Sequence, residues 1–267
     1  MRFGRCSVVV VSLAAALGGA LVPTASGSPV SGRLGPTTSY HVTLKTSTTQ
    51  AVARQDKIRL TGTVSPKPVA GAVVVLQVRY ETQTSWRREA KAVVKADGSF
   101  AFVEKPRTHL DRAYRVLKPA DDVALAGKSR ERSVKVLRWD WLTSLTPSAV
   151  SGMYGIGSLP INGTDYPQTM VAVRTLDAGY VEYTLGRKCL TFETTFGLSD
   201  RTETGGQASV QLADDGVVAY ARTFDLGQAD FRSIDVTNVY RMRFDFAQVT
   251  TTPDTESAMG SARVLCD

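Results

Sequence analysis

The chain has 267 residues, of which 43% are apolar, and a formal net charge of +7. That length admits two modest domains or one large sandwich, and the apolar content excludes general disorder. With two histidines and three cysteines, none clustered, a zinc site built from His and Cys is excluded.

The charge is uneven along the chain. Residues 40–137 carry 19 Lys and Arg against 9 Asp and Glu, a balance of +10, whereas 138–267 carry 10 against 16, a balance of −6. The other +3 comes from Arg2, Arg5 and Arg33. Opposite signs in the two halves predict two folding units with a boundary near Arg138.

In chain order, Arg2 and Arg5 precede the apolar run 7–22, and Ala25, Ser26 and Gly27 supply the small residues that a signal peptidase requires. Residues 1–27 are therefore expected to be a cleaved Sec-type export signal. The lesser alternative, an uncleaved anchor, is disfavoured by Pro23 and the small residues that follow. After cleavage no other segment is apolar enough to span a membrane, so a secreted, extracellular chain without membrane contact is expected. Cys6 would leave with the signal. Cys189 and Cys266 then remain as an even pair in an exported protein, which predicts a disulfide. Residues 28–39, rich in Gly, Ser, Thr and Pro, read as a flexible leader.

Residues 40–137 read as about seven short strands over about 100 residues, the size and spacing of an immunoglobulin-like sandwich. The run 71–81 reads as a longer strand, with Val73, Val75 and Gln77 on one face and Val74, Leu76 and Val78 on the other. Residues 89–105 read as a hairpin joined at Ala96-Asp97-Gly98, where glycine permits positive φ. The stretches LTGTVSP, VVLQVRYETQTSWRREAKAVVKADGSFAF and RAYRV resemble small β-sandwich domains common in exported actinobacterial proteins, a likeness that implies no particular ligand. Trp86 beside Arg87 and Arg88 is either a binding patch or a ring covering the core's edge next to solvated arginines; the second is the ordinary surface reading.

Residues 138–168 show few strand signals and read as an aromatic-bearing loop holding Trp139, Trp141, Tyr154 and Tyr166 among Gly, Ser and Pro. Such a loop on a β scaffold is where a binding surface is expected. The alternative, preferred for Trp141 and Leu142, is that they lock the loop onto the second unit.

The second half is again β. In 240–246, Tyr240, Met242, Phe244 and Phe246 alternate with Arg241, Arg243 and Asp245, the mark of a strand with one buried face. Between two alternating runs lie Asp214, Asp215 and Gly216. Turn geometry alone favours Asp and Gly at such a corner. Calcium needs six to eight oxygens, more than this corner supplies, so a structural calcium is the lesser reading and no cofactor or metal is expected.

The ordered stretches NGTDY (162–166), VEYTL (181–185), FETTFGLSD (192–200), SVQLADDG (209–216) and IDVTNVYRMRF (234–244) resemble the NPCBM family, a novel putative carbohydrate-binding module. The likeness runs from about Trp141 to Val264. It implies a jelly-roll sandwich of the galactose-binding-like type, carbohydrate binding without catalysis, and a role as accessory to a glycan-processing enzyme. Two departures stand out. A histidine-bearing strand of the family is replaced by PQTMVAV, and Met259 falls near the family's usual tryptophan.

The expectation is thus an all-β, exported, non-catalytic protein. An immunoglobulin-like sandwich at 40–137 precedes a jelly-roll sandwich at 138–267 that recognises a glycan or cell-wall polysaccharide. Neither a nucleophile elbow nor a P-loop argues for catalysis. The candidate sugar-binding residues are Trp141, Tyr154, Asn162, Asp165, Tyr166 and Arg174. The alternative is an adhesion or protein-interaction module without sugar specificity, its basic first unit contacting anionic wall polymers. Nucleic acid is set aside, because the basic residues are interspersed with acids.

Overall fold

The computed structural model describes residues 35–250 and 253–267. The expected export signal at 1–27 lies outside the described residues, as does most of the leader at 28–39. Where the leader is described, Ser39 already bridges Leu125, and Tyr40 behind it is buried.

The first strands in chain order are β1 (His41–Val42), β2 (Lys45–Thr46), β3 (Gln50–Val52), β4 (Ile58–Ser65) and β5 (Val73–Tyr80). Next come β6 (Arg87–Val93), β7 (Ser99–Glu104), β8 (Arg112–Lys118), β9 (Gly127–Lys128) and β10 (Arg132–Trp141). A 3-10 turn at Leu142–Ser144 leads to β11 (Ala149–Ser151), β12 (Met153–Ile161), β13 (Thr164–Ala172), β14 (Ala178–Thr184) and β15 (Cys189–Leu198). The last are β16 (Gln207–Asp214), β17 (Val217–Asp225), β18 (Ala229–Asp235), β19 (Arg241–Gln248) and β20 (Ser257–Cys266). The chain is all-β, and its layers are β-sandwiches.

In the first sandwich, β1, β2 and β7 pair with β4, and this sheet packs on one containing β6, β5, β8 and β10. Ile58, Leu60, Phe100 and Phe102 from the first layer meet Leu76, Val78, Tyr114 and Val136 from the second. The face read in 71–81 holds for Val74, Leu76 and Val78, all buried. Residues 89–105 are not a hairpin. The local turn exists, Gly98 N–H donating to Lys95 O at 2.9 Å, but β6 pairs with β5 and β7 with β4, so the chain crosses between layers there. An Asp-Gly turn fixes a chain reversal, not the partners of the flanking strands. Buried Val94, bonded to Ala72, keeps β6 in its own sheet.

The second sandwich sets the antiparallel sheet β11-β14-β19-β16-β17 against a sheet built on β20. One edge of β20 pairs with β15, which pairs in turn with β18; the other edge is shared by β13 and the end of β10. Phe192, Phe196, Val264 and Met259 face Val210, Leu212, Met242, Phe244 and Phe246 across the core. Each such side chain contributes about 1.5–3 kcal/mol on burial. Met259 is fully buried core. Of the alternating set in 240–246, Met242, Phe244 and Phe246 are buried as expected; Tyr240 lies before the strand, exposed, with Arg187 over its ring. Cys189 and Cys266 face each other across β15 and β20 and form the expected disulfide.

Residues 36–267 make one compact unit holding the main hydrophobic clusters of the two sandwiches. The boundary expected at Arg138 falls inside β10, which pairs with β8 and β3 up to Leu137 and with β20 from Arg138 onward. Lys135 of this strand is ion-paired with Asp267.

The reading of 138–168 as a loop is corrected: it holds the end of β10, all of β11 and β12, and the start of β13. Gly155, Gly157 and Pro160 dilute the strand signal, and β12 is an edge strand, where glycine and proline are tolerated. Asn162 and Gly163, at φ 48° and 73°, make the two-residue turn joining β12 to β13. The tip of this hairpin is fixed over β15: Asp200 N–H donates to Pro160 O at 3.0 Å, and Gly163 N–H to Asp200 Oδ2 at 2.8 Å. Beneath it Leu159, Ile161, Val171 and Ala258 form a small separate core.

Candidate functional site

A groove of about 300 Å³ lies on the outer face of the β20-centred sheet. Its position follows from strand alternation. Val264 and Phe192 point into the core, so their neighbours Arg263 and Glu193 point outward. Trp141 of β10, Arg263 of β20, Glu193 of β15 and Ser233 of β18 stand opposite one another in register and form one row across the sheet. In the next outward row Thr195 stands between Gly260 and Phe231.

The register between these rows is offset by a bulge in β20, where Ser261 takes φ 51°. The bulge reverses which residues of β20 face outward, so that Met259 and Ala262 are core while Gly260 forms part of the groove. Ser261 Oγ donates to Pro167 O at 3.0 Å, tying the bulge to the hairpin arm. Thr194 Oγ1 donates to Gly260 O at 3.1 Å from within the sheet.

Glycine at 260 is a packing requirement. A Cβ there would lie 2.5 Å from Cγ of Tyr166, whose ring rests against the strand. Tyr166 and Trp141 thus line one side of the groove and Phe231, 62% exposed, the other. Arg263 donates from Nε and Nη2 to Glu193 Oε2, at 3.0 and 2.7 Å. Its guanidinium also lies over the rings of Trp139 and Trp141, at 4.3 and 5.9 Å. The planar cation is therefore held between an acid and two indoles, with its orientation fixed. Glu193 Oε1 keeps only a 3.5 Å approach from Ser233 Oγ.

Of the six residues singled out in the sequence, the fold brings Trp141 and Tyr166 together here. Tyr154 is exposed on β12, opposite Val171 in the strand pairing. Asn162 is in the hairpin turn, and Asp165 pairs with Pro160 beside that turn. Arg174 lies past β13, its carbonyl accepting Gln248 Nε2 at 2.6 Å. Among the remaining groove residues, Glu193, Thr195, Phe231, Gly260, Ser261 and Arg263 come from three distant strands. The one sequence signal for them was outward alternation, visible in DFRSID and SARVLC.

The acidic corner is a turn. Asp215 and Gly216, at φ 48° and 87°, form the two-residue loop between β16 and β17. The Asp215 carboxylate accepts the backbone N–H of Tyr240 at 3.0 Å and of Arg241 at 2.8 Å, bonds that hold it below the usual carboxylate range. Burial, reinforced by the charge of Asp215, pushes Asp214 up to about 6. Among the described residues no group of three or more His, Cys, Asp or Glu could hold a metal ion. Trp86 is half-buried beneath Arg115 and Arg79, at 4.1 and 5.1 Å from its ring, with Arg87 and Arg88 exposed beside it.

No family model matches the chain, and no curated protein does. Among solved structures, it is similar to CBM51 from Clostridium perfringens GH95 in complex with methyl-galactose, at 16% identity over 47% of this chain and 99% of the other, with a TM-score of 0.40. It is also similar to the CBM51-2, in complex with GlcNAc, and INT domains of Clostridium perfringens ZmpB. There the identity is 10% over 85% of this chain and 48% of the other, with a TM-score of 0.41. A third is carbohydrate-binding module CBM36 in complex with calcium and xylotriose, at 14% identity over 48% and 98% of the two chains, with a TM-score of 0.30. These neighbours are carbohydrate-binding modules; likenesses this distant assign no ligand to the present chain.

Proposed function

We propose that this chain is an exported, non-catalytic protein that binds a polysaccharide along the outer-face groove. The observation that carries this reading is the combination of Trp141, Tyr166 and Phe231 around a floor of Thr195 and Ser261, with the Glu193–Arg263 pair at one end. A pyranose presents apolar C–H faces and a rim of hydroxyls. Ring surfaces take the faces, and fixed planar donors and acceptors take the hydroxyls. Arg263 suits the second task, because stacking and the bond to Glu193 have already ordered it before a ligand arrives.

We assign the chain as export signal 1–27, leader 28–39, a basic first sandwich 40–137 and a binding sandwich 138–267. The separate main hydrophobic clusters of the two sandwiches and the opposite charges of the halves support that division. The Cys189–Cys266 disulfide fits an oxidising, extracellular setting. In the described residues no helix is long and apolar enough to cross a membrane.

The test is a glycan-array and polysaccharide pull-down with the full chain and with Trp141→Ala, at low and high salt. Retention on a defined polysaccharide, lost in Trp141→Ala and persisting at high salt, is the expected result. Retention unaffected by Trp141→Ala would sink the assignment of this groove.

A further inference from the structure

A second aromatic ring stands beside the groove's Trp141. It is Trp139, two residues earlier on the outward face of β10, and Arg263 lies over both rings. Trp139 in turn lines a second cleft of about 570 Å³ with Arg54, Arg107, His109 and Arg138. This cleft is built mainly by the first sandwich, and it neighbours the binding groove because β10, which carries both Trp139 and Trp141, runs unbroken from one sandwich into the other.

Arg54 and Arg138 are held in place. Arg54 has φ 64°, a conformation uncommon outside glycine. Its N–H donates to Pro106 O at 2.6 Å, and its Nε to Arg107 O at 3.3 Å. These bonds pin the turn after β3 against the segment before β8 and set Arg54 beside Arg107. Arg138 is balanced by Asp140, with Nε to Oδ2 at 2.8 Å, and reaches His109 Nδ1 at 3.5 Å. The nearby acid Asp56 accepts the backbone N–H of Val52. Arg54 and Arg107 are exposed and have no carboxylate partner among the described residues. Two guanidiniums without a direct ion-pair partner thus line the cleft that Trp139 borders.

We infer that the ligand is an anionic polysaccharide, its sugar rings lying along Tyr166, Trp141 and Trp139 and its acidic substituents on Arg54 and Arg107. This rests on the reading of the groove as a sugar site and adds its substrate class. Carboxylate and sulfate substituents share the chemistry that guanidinium recognises, charge paired with two-point hydrogen bonding.

The test uses the full chain in affinity electrophoresis, in EDTA, with polygalacturonate and the same polymer methyl-esterified, and with dextran sulfate and dextran. Oligothymidylate is a further probe. At low salt the acidic member of at least one pair should bind about fivefold or more tightly, the sum of two or three exposed ion contacts. That preference should vanish in about 1 M salt, where screening acts within about 3 Å. Arg54→Gln with Arg107→Gln should bring the acid-to-neutral ratio toward one while retention on the neutral polymers is unchanged, the lost Arg54 Nε bond lowering the thermal midpoint by no more than about 4 °C. Which pair responds tells carboxylate from sulfate.

Equal binding of acidic and neutral forms would overturn the inference and leave the sugar site standing. Retention of none of the polymers would overturn both. Tighter binding of oligothymidylate than of either acidic polymer would overturn the inference in favour of nucleic acid.

Discussion

Replacing Gly260 with alanine perturbs the groove from its floor. The added methyl would stand 2.5 Å from Cγ of Tyr166 and 2.8 Å from its Cβ. Non-bonded carbons settle at about 3.5–4.0 Å, so the tyrosine must withdraw by about 1 Å. The backbone of Gly260 is not left-handed, so alanine is sterically permitted by the chain itself and the whole cost falls on that contact. Tyr166 sits on a hairpin arm that can yield, which puts the cost at about 1–2 kcal/mol, the lower part of the overpacking range. For a domain of this size that is about 2–8 °C in Tm. Moving the ring should also forfeit its stacking on the ligand, about tenfold in affinity at most. Urea unfolding of Gly260→Ala, Tyr166→Gly and the double variant closes the cycle. With the side chain gone, the alanine should cost less than about 0.5 kcal/mol. The same penalty in both backgrounds would refute the packing argument and, with it, the place of Tyr166 in the groove.

Other outcomes follow from the same geometry. The disulfide closes a loop of 77 residues, so Cys189→Ala with Cys266→Ala should cost about 4.5 kcal/mol by chain entropy; calorimetry showing less than about 1 kcal/mol would contradict it. Asp214, with one carboxylate oxygen buried and unpartnered, titrates higher folded than unfolded. Its ionisation therefore costs nothing below about pH 4, costs progressively more as pH rises toward 6, and costs a constant amount above that. Asp214→Asn should accordingly stabilise the fold by about 1 kcal/mol at pH 7, allowing for solvent screening, and by nothing at pH 3. A gain of equal size at both pH values would exclude the ionisation argument. Arg263→Lys keeps the charge but loses the planar fork, and should weaken polysaccharide retention about fivefold with the fold intact; undiminished retention would show that the guanidinium plane is not used.

Much of the fold was legible because β-sandwiches declare themselves in period-two alternation. Val74, Leu76 and Val78, or Met242, Phe244 and Phe246, fix their inward faces without reference to any partner. The Asp215-Gly216 turn and the cysteine pairing were equally local or equally forced. What could not be read was pairing between distant strands. The turn at Asp97-Gly98 looks like the one at Asp215-Gly216, yet one crosses between layers and the other joins neighbours. The hairpin β12–β13 was hidden by Gly155, Gly157 and Pro160, residues an edge strand tolerates. The site was half legible for the same reason. Trp141 and Tyr166 announce themselves as aromatics near turns. Glu193, Phe231 and Arg263 acquire meaning only once β15, β18 and β20 are side by side, and the bulge at Ser261 that turns Gly260 into the groove leaves no mark in the sequence.

The most direct measurement is the indole N–H spectrum of the full chain, which has three tryptophans, titrated with an oligosaccharide cut from the polymer it retains. The signals are assigned by Trp86→Phe, Trp139→Phe and Trp141→Phe. The Trp141 signal should move in proportion to saturation while that of Trp86, under Arg79 and Arg115 and not part of the groove, stays in place. A ligand that saturates the protein and leaves Trp141 unmoved would contradict the assignment of the groove as the binding site.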